Sequence, residues 1–148
     1  MLFFFYGTLL EGSDNPLAAR VHTMLRAIGA ATVPGVLHAV PDPEGWYPAL
    51  LPGNGLVRGC LYEASAAFAE ADLALLDAYE DFDPAKPEAS LYRREQVAAT
   101  VPDGSSREAQ AYRFNQPLPA GARSIDDGDF RAWLNRRGLQ EFGGLRNE

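Results

Sequence analysis

The sequence predicts an α+β fold. Short apolar segments typical of strands recur along the chain, two or three other segments have helical spacing, and the two kinds do not alternate strictly. Glycines and prolines lie at the edges of the predicted strands, which is compatible with a curved or closed sheet. The 148 residues suit one domain, spanning residues 1–148, with a single core.

Composition and charge argue against several classes of function. The chain is 47% hydrophobic and 22% charged, as is usual for a globular protein. Its net charge of -7 argues against nucleic-acid binding, which needs a basic surface. No segment is long enough to span a bilayer, so we expect no membrane partner.

The expected compartment is the cytoplasm. The apolar N-terminal run lacks a basic flank and is followed at once by Glu11, which is not the pattern of a signal peptide. Cys60 is the single cysteine and allows no internal disulfide, as expected in a reducing environment.

The chain opens with an aromatic run over residues 2–10 that is typical of a buried strand. Gly7 breaks this strand and allows close approach to the backbone. A turn after a buried strand can direct several N–H groups one way, which suits an anion or oxyanion. The alternative is an ordinary turn with no function.

A helix is predicted over residues 16–28, capped by Asn15 with Pro16 at its first position and ended by Gly29. Its apolar positions repeat at helical spacing and are Leu17, Val21, Met24, Leu25 and Ile28.

A bent strand over residues 32–39 is expected next, with Pro34 and Gly35 at the bend. Residues 41–55 are crowded with proline and glycine and predict a structured loop, with at most a short strand at 49–51. Long loops in compact domains often carry function. A strand over residues 56–62 follows.

The second half predicts a helix over residues 65–79 capped by Ser65, then a polar loop over 81–89. Two strands, 92–101 and 108–114, flank a hairpin turn at 102–105. A Pro/Gly linker at 117–121 leads to a helix over 130–137, which Asp127 and Asp129 cap and Gly138 ends.

Glu80 is the most informative polar residue. If the second helix continues through it, Leu73, Leu76 and Glu80 share one face. An apolar surrounding and the negative end of the helix dipole would both raise the pKa of Glu80 towards neutrality, which suits a general acid/base. The alternative is that the helix ends at Tyr79 and Glu80 is a solvated loop acid.

Other candidate residues point to no further site. His22 and His38 have no second ligand at metal spacing, so no metal site is indicated. A buried structural thiol is the favoured interpretation of Cys60. Arg93 and Arg94 point to opposite faces of a strand, so at most one could face a site. The simpler expectation is that both pair with surface acids.

Several segments, in order, resemble the γ-glutamylcyclotransferase-like superfamily, and most closely its small γ-glutamylamine-cyclotransferase-like branch. The matching segments cover most of the chain and are Tyr6-Gly7-Thr8-Leu9, Tyr47-Pro48-Ala49-Leu50, Val57-Arg58-Gly59-Cys60-Leu61-Tyr62, Leu76-Asp77-Ala78-Tyr79-Glu80, Tyr92-Arg93-Arg94 and Gly128-Asp129-Phe130.

The resemblance implies a small closed mixed β-barrel with flanking helices. It also implies an enzyme in which the α-amine of a γ-glutamyl group attacks its own γ-carbonyl, giving 5-oxoproline and a free amine. Glu80 would be the general acid/base, and no metal or organic cofactor is expected. The residues expected to contact the small-molecule γ-glutamyl substrate are Tyr6, Gly7, Thr8, Leu9 and Tyr112.

One motif departs from part of this superfamily. Enzymes of the superfamily that act on γ-glutamyl amino acids usually carry Tyr-Gly-Ser-Asn-Leu, whereas this chain has Tyr-Gly-Thr-Leu at residues 6–9. The resemblance therefore favours γ-glutamylamines or another amide as substrate.

Two functions of other classes compete with the enzyme. A non-catalytic protein could use the same cavity to bind a small carboxylate-bearing metabolite, although a pure binder has no evident need for an acid on an apolar helix face. A protein-interaction domain has less support, because no apolar stripe is visible beyond the helix faces that a core requires.

Overall fold

A computed structural model describes residues 1–13 and 15–142, which form six strands, three α-helices and one 3-10 turn at Pro87–Ala89. The strands are β1 (Leu2–Phe5), β2 (Leu25–Asp42), β3 (Gly45–Ala64), β4 (Tyr92–Thr100), β5 (Ser106–Phe114) and β6 (Arg123–Ile125). The helices are α1 (Pro16–Val21), α2 (Glu70–Tyr79) and α3 (Phe130–Arg137). None of the helices in these residues is long and apolar enough to cross a membrane.

Five of the strands close into a mixed β-barrel, which confirms the predicted fold class. Their order is β3-β1-β5-β4-β2, and β2 pairs back with β3 to complete the circle. The β1–β5 pair is parallel, whereas the other pairs are antiparallel. The short strand β6 pairs with β2 beyond the point where β4 ends.

The predicted first helix is wrong beyond Val21, because β2 begins at Leu25. Residues 25–27 pair with residues 62–64 of β3, and the register shifts between Ala27 and Gly29. A bulge of this kind spaces apolar residues irregularly along a strand, so Leu25 and Ile28 matched a helical period by coincidence. Pairing with a distant strand decided the structure of this segment.

The predicted loop at residues 41–55 is also wrong, since β3 already begins at Gly45. Pro34 pairs with Leu56 and Val36 with Leu51, so residues 52–55 form an insertion opposite Gly35. The insertion contains Pro52, Gly53 and Gly55, which are three of the seven prolines and glycines that indicated a loop. The strands predicted at 49–51 and 56–62 are both parts of β3.

The second half follows the prediction more closely. Helix α2 begins at Glu70 rather than near Ser65, because the Asp72 carboxylate accepts the N–H of Ala69 at 2.9 Å and fixes the start. Strands β4 and β5 and the turn between them lie close to the predicted positions. Asp129 caps α3, and Gly138 ends it with φ 62°. Strand β6 was not predicted.

Strand β1 is buried on both of its faces. Phe4 and Tyr6 belong to a hydrophobic cluster that includes α3, whereas Phe3 and Phe5 belong to a second cluster that includes residues of α1 and α2. Successive side chains of a strand point to opposite faces, so β1 joins the two clusters. The turn after β1 therefore starts from a rigid support.

Gly128 is a position where only glycine fits. Its φ is 68°, and its carbonyl accepts the N–H of Arg58 at 2.8 Å. A Cβ atom there would lie 2.0 Å from the carbonyl oxygen of Leu56, which is backbone and cannot rotate away.

We expect Gly128→Ala to lower the free energy of unfolding by about 2–4 kcal/mol, because it adds a backbone clash to an unfavourable φ. Gly138→Ala is the matched control, since its φ is similar but nothing lies within 4 Å of its Cβ position. The control should cost about 1 kcal/mol. Urea unfolding measures both, and equal losses would contradict the clash.

Candidate active site

A small cavity beside the end of β1 is lined by all six residues that the sequence nominated. Its walls are formed by Phe4, Phe5, Tyr6, Gly7, Thr8, Leu9, Pro48, Glu80, Tyr92 and Tyr112. The enclosed volume is about 20 Å³, enough for about one water molecule. Residues more than seventy positions apart in the sequence thus meet at one place.

The turn after β1 is held through its carbonyl groups. The Gly7 carbonyl accepts the N–H of Leu10 at 3.0 Å, and the Thr8 carbonyl accepts the Asn15 side-chain amide at 2.6 Å. The Leu9 carbonyl lies 2.7 Å from Nε2 of His22, which must carry the proton because a carbonyl only accepts. Three successive carbonyl groups are therefore fixed.

Anchoring these carbonyls also fixes the N–H groups of the turn. The C=O and N–H of a trans peptide point in opposite directions, and every peptide bond in the described residues is trans. The Thr8 N–H shares a peptide unit with the Gly7 carbonyl and therefore points away from Leu10. In the same way, the Leu9 N–H points away from Asn15, which binds the Thr8 carbonyl. Asn15 belongs to the capped start of α1, where its Oδ1 accepts the N–H of Ala18 at 2.8 Å.

The Thr8 side chain connects the turn to α2. Thr8 is buried, and its hydroxyl oxygen accepts a hydrogen bond from the Tyr79 hydroxyl at 2.9 Å. Since Tyr79 immediately precedes Glu80, this bond couples the position of the turn to the end of the helix that carries the glutamate.

Glu80 lies at the C-terminal cap of α2, directly after its last helical residue. Its N–H bonds to the Leu76 carbonyl at 3.1 Å, and the N–H of Phe82 returns to the Asp77 carbonyl at 2.8 Å. Asp81 between them has a φ of 55°, which turns the chain sharply. Only 6% of Glu80 is exposed. The helix does end at Tyr79, but the alternative prediction of a solvated loop acid is wrong.

Tyr112 forms the opposite wall from β5 and is held at both ends. Its carbonyl accepts the Tyr6 hydroxyl, and its own hydroxyl donates to Oδ1 of Asp77 at 2.7 Å. Burial raises the pKa of Tyr112 far above its usual range, and the hydrogen bond and charge of Asp77 and the charge of Glu80 raise it further. The phenol therefore stays protonated at any physiological pH.

Sequence reasoning missed Pro48 and Tyr92 as parts of the wall. The Tyr92 hydroxyl donates to the Pro48 carbonyl. The Pro48 ring packs on the turn so tightly that a Cβ atom at Gly7 would lie 2.2 Å from its Cγ. Both residues lie in motifs that resemble the family. The contact of Pro48 with Gly7 was missed because Pro48 was predicted to lie in a loop, whereas it lies in β3.

The remaining candidates have structural surroundings. Among residues 1–13 and 15–142, no group of three or more His, Cys, Asp or Glu residues could hold a metal ion. Cys60 is half-buried and packs against the hydrophobic cluster that includes Phe3 and Phe5. Arg94 pairs with the buried carboxylate of Asp77, so the expectation of a surface partner for it is wrong.

A wider groove of about 970 Å³ also has Tyr6 in its wall. Its lining includes the charged residues Glu11, Arg58, Asp129 and Arg131, but neither Glu80 nor Tyr112. Arg131 is engaged there with the Glu11 carbonyl and the Ser13 hydroxyl, each at 2.9 Å. The smaller cavity, with its buried carboxylate, is therefore the candidate active site.

A comparison with known proteins gives one family match. The family model described as "Gamma-glutamyl cyclotransferase, AIG2-like" matches residues 3–132. No curated protein matches the chain significantly.

Solved structures share the fold. An AIG2-like protein from Mus musculus is 24% identical with a TM-score of 0.62, over 99% of this chain and 97% of that one. A structure titled "Gamma-glutamyl cyclotransferase" is 14% identical with a TM-score of 0.58, over 99% and 94%. Kluyveromyces lactis allophanate hydrolase is 13% identical with a TM-score of 0.66, over 92% of this chain but only 21% of that one. The same fold thus occurs as a portion of a longer protein.

The two hydrogen bonds of Asn15 predict a graded effect on stability. Asn15→Ala removes the helix cap and the bond to the Thr8 carbonyl, and we expect it to lower the free energy of unfolding by about 2 kcal/mol. Asn15→Ser keeps a cap but is too short to reach that carbonyl, so it should lose about 1 kcal/mol. Urea unfolding measures both; a serine variant as stable as the parent would show that the Thr8 bond contributes nothing.

Proposed function

Because this chain belongs to the γ-glutamyl cyclotransferase, AIG2-like family, we propose that it cyclises a γ-glutamyl amide or amine to 5-oxoproline, releases the free amine, and uses Glu80 as general acid/base. The observation that carries this proposal is the buried Glu80 in the wall of the cavity that the turn at residues 6–9 also lines. A buried carboxylate beside a fixed turn fits proton transfer better than it fits fold stability.

The proposed reaction moves two protons from the α-nitrogen of the substrate to the departing nitrogen. Glu80 first takes a proton from the α-ammonium of the substrate, and the freed nitrogen attacks the γ-carbonyl carbon. A new C–N bond closes the five-membered ring, and Glu80 gives its proton to the departing nitrogen as the original amide C–N bond breaks. The ring nitrogen then loses its second proton to the regenerated carboxylate, which passes it to the released amine. One carboxyl group can serve both steps because it is regenerated at the end.

The turn has the features needed to hold the oxygen atoms of the substrate. Its carbonyl groups are bound by Leu10, Asn15 and His22, and none of these three residues lines the cavity. The N–H groups of Thr8 and Leu9 point away from Leu10 and Asn15. In the proposed complex they donate hydrogen bonds to a carboxylate or to a developing oxyanion. Fixed donors of this kind stabilise such charge without reorganising.

The remaining contribution is conformational. Both reacting groups belong to one substrate molecule, so the site has to hold the γ-glutamyl chain in the folded, attacking form. A γ-glutamyl group is larger than the enclosed 20 Å³, so wall side chains must move outward when it binds. The Tyr-Gly-Thr-Leu sequence at residues 6–9 favours a γ-glutamylamine over a γ-glutamyl amino acid as substrate.

We expect Glu80→Gln to lower kcat for 5-oxoproline release by about 10²–10⁴-fold, because the amide cannot exchange the protons. Glu70→Gln, on the exposed first turn of the same helix, is the matched control and should keep full activity. The assay is 5-oxoproline formation from a panel of γ-glutamyl amides, with circular dichroism to verify folding.

Two outcomes would overturn the proposal in different ways. Full turnover by Glu80→Gln would refute the role of the glutamate. Thermal stabilisation of the parent by γ-glutamyl compounds without any 5-oxoproline would instead support a non-catalytic protein that binds a small metabolite in the same cavity.

A further inference from the structure

A buried ion pair stands behind the candidate site. Asp77 is buried, with 5% of its surface exposed, and it lies on α2 one turn before Glu80. Arg94 of β4 donates to it through Nε at 2.9 Å and Nη2 at 3.4 Å. The same guanidinium donates through Nη1 to the side-chain oxygen of Gln110 at 3.1 Å.

The ion pair favours the charged form of the Arg94 guanidinium. Burial on its own would lower the pKa of Arg94, but the hydrogen bond and charge of Asp77, with smaller effects from Tyr112, raise it on balance. The guanidinium therefore stays charged, and the carboxylate it holds acts only as an acceptor. Removing one member would leave a buried charge without its partner.

This arrangement decides the direction of the Tyr112 proton. The Tyr112 hydroxyl lies 2.7 Å from Oδ1 of Asp77, and a carboxylate cannot donate. The single hydroxyl proton must therefore point at Asp77. A phenolic oxygen that has given its proton to one partner can only accept from the others.

We propose that Asp77, held by Arg94, is a positioning residue that makes the Tyr112 oxygen a hydrogen-bond acceptor towards the cavity. Tyr112 and Glu80 then present only hydrogen-bond acceptors to the cavity, and we call this pair of side chains the acceptor pair. It selects a ligand with a protonated primary amine. The proposal rests on the proposed function for the identity of that amine, the α-ammonium of a γ-glutamyl group.

The acceptor pair of Glu80 and Tyr112 also gives Tyr112 a role in the reaction. After Glu80 removes one proton, the neutral amine keeps two N–H bonds. One of them donates to the Tyr112 oxygen, which limits the directions in which the new lone pair can point. Orientation of the attacking atom is the main requirement of an intramolecular reaction.

The test compares two ligands that differ only in the amine. L-methionine sulfone has the α-amino acid end of a γ-glutamyl group but a sulfone that cannot be cleaved, and 4-(methylsulfonyl)butanoate lacks its ammonium. Titration calorimetry should show that the parent binds the amino ligand more tightly by about 10-fold or more, the size of a charge-assisted hydrogen bond. The ratio of the two Kd values is the readout.

Tyr112→Phe and Asp77→Ala should each reduce this ratio by about 5- to 10-fold. In the first the acceptor is gone, and in the second the phenol loses the carboxylate that holds its proton and can turn that proton towards the cavity. Tyr62→Phe and Asp127→Ala are matched controls outside the cavity and should leave the ratio unchanged. If Asp77 contributed only to stability, its substitution would weaken the binding of both ligands equally and leave the ratio of the Kd values unchanged.

An unchanged ratio in Tyr112→Phe would refute the acceptor role, and an unchanged ratio in Asp77→Ala would refute the positioning role. If Asp77→Ala fails to fold, the double variant Asp77→Ala/Arg94→Gln also removes the unpaired charge and carries the same prediction. Because binding is measured without turnover, a protein that shows the selectivity but forms no 5-oxoproline would refute the proposed function and leave this inference standing.

Discussion

The pairing of β2 with β3 is the constraint on which the rest of the structure depends. These two long strands run together from Leu25 opposite Ala64 to Asp42 opposite Gly45. Their outer edges then pair with β4 and with β1, so one bent hairpin supplies both sides of the barrel closure. The register shifts at Gly29 and Val36 let it bend. Closure in turn buries β1 and fixes the turn that follows it.

The candidate site draws on the barrel and on α2 in different ways. The barrel contributes rigid backbone, through the turn after β1 and through Tyr112 on β5. Helix α2 contributes carboxylates, with Glu80 in the cavity wall and Asp77 one turn earlier behind Tyr112. The Tyr79 hydroxyl joins the two systems through Thr8. Both carboxylates thus come from the end of one helix, and the cation that pairs with Asp77 is Arg94 of β4.

The sequence predicted this site better than it predicted the first half of the fold. Motifs such as residues 6–9 and 76–80 are local, so their presence could be read directly, and their family resemblance indicated that they meet. The bend of β2 near Gly29 depends on pairing with residues about thirty positions away, which periodicity cannot detect, and the periodicity therefore places Ile28 in a helix. The second bend, at Pro34 and Gly35, was predicted from those two residues. The contacts of Asp77 with Arg94 and of Gly7 with Pro48 required coordinates, because each joins separate elements.

Arg131 has a consequence for how the molecule is made. This residue of α3 donates to the carbonyls of Leu10 and Glu11 and to the Ser13 hydroxyl, more than a hundred positions earlier in the chain. Strand β1 likewise waits for β5 as its parallel neighbour. During synthesis on the ribosome, which proceeds from the N-terminus, β1 can pair with β3 as soon as both have emerged, but its other edge stays open until β5 is made. The aromatic residues at positions 3–6 are therefore covered in two stages, first beside β3 and later beside β5.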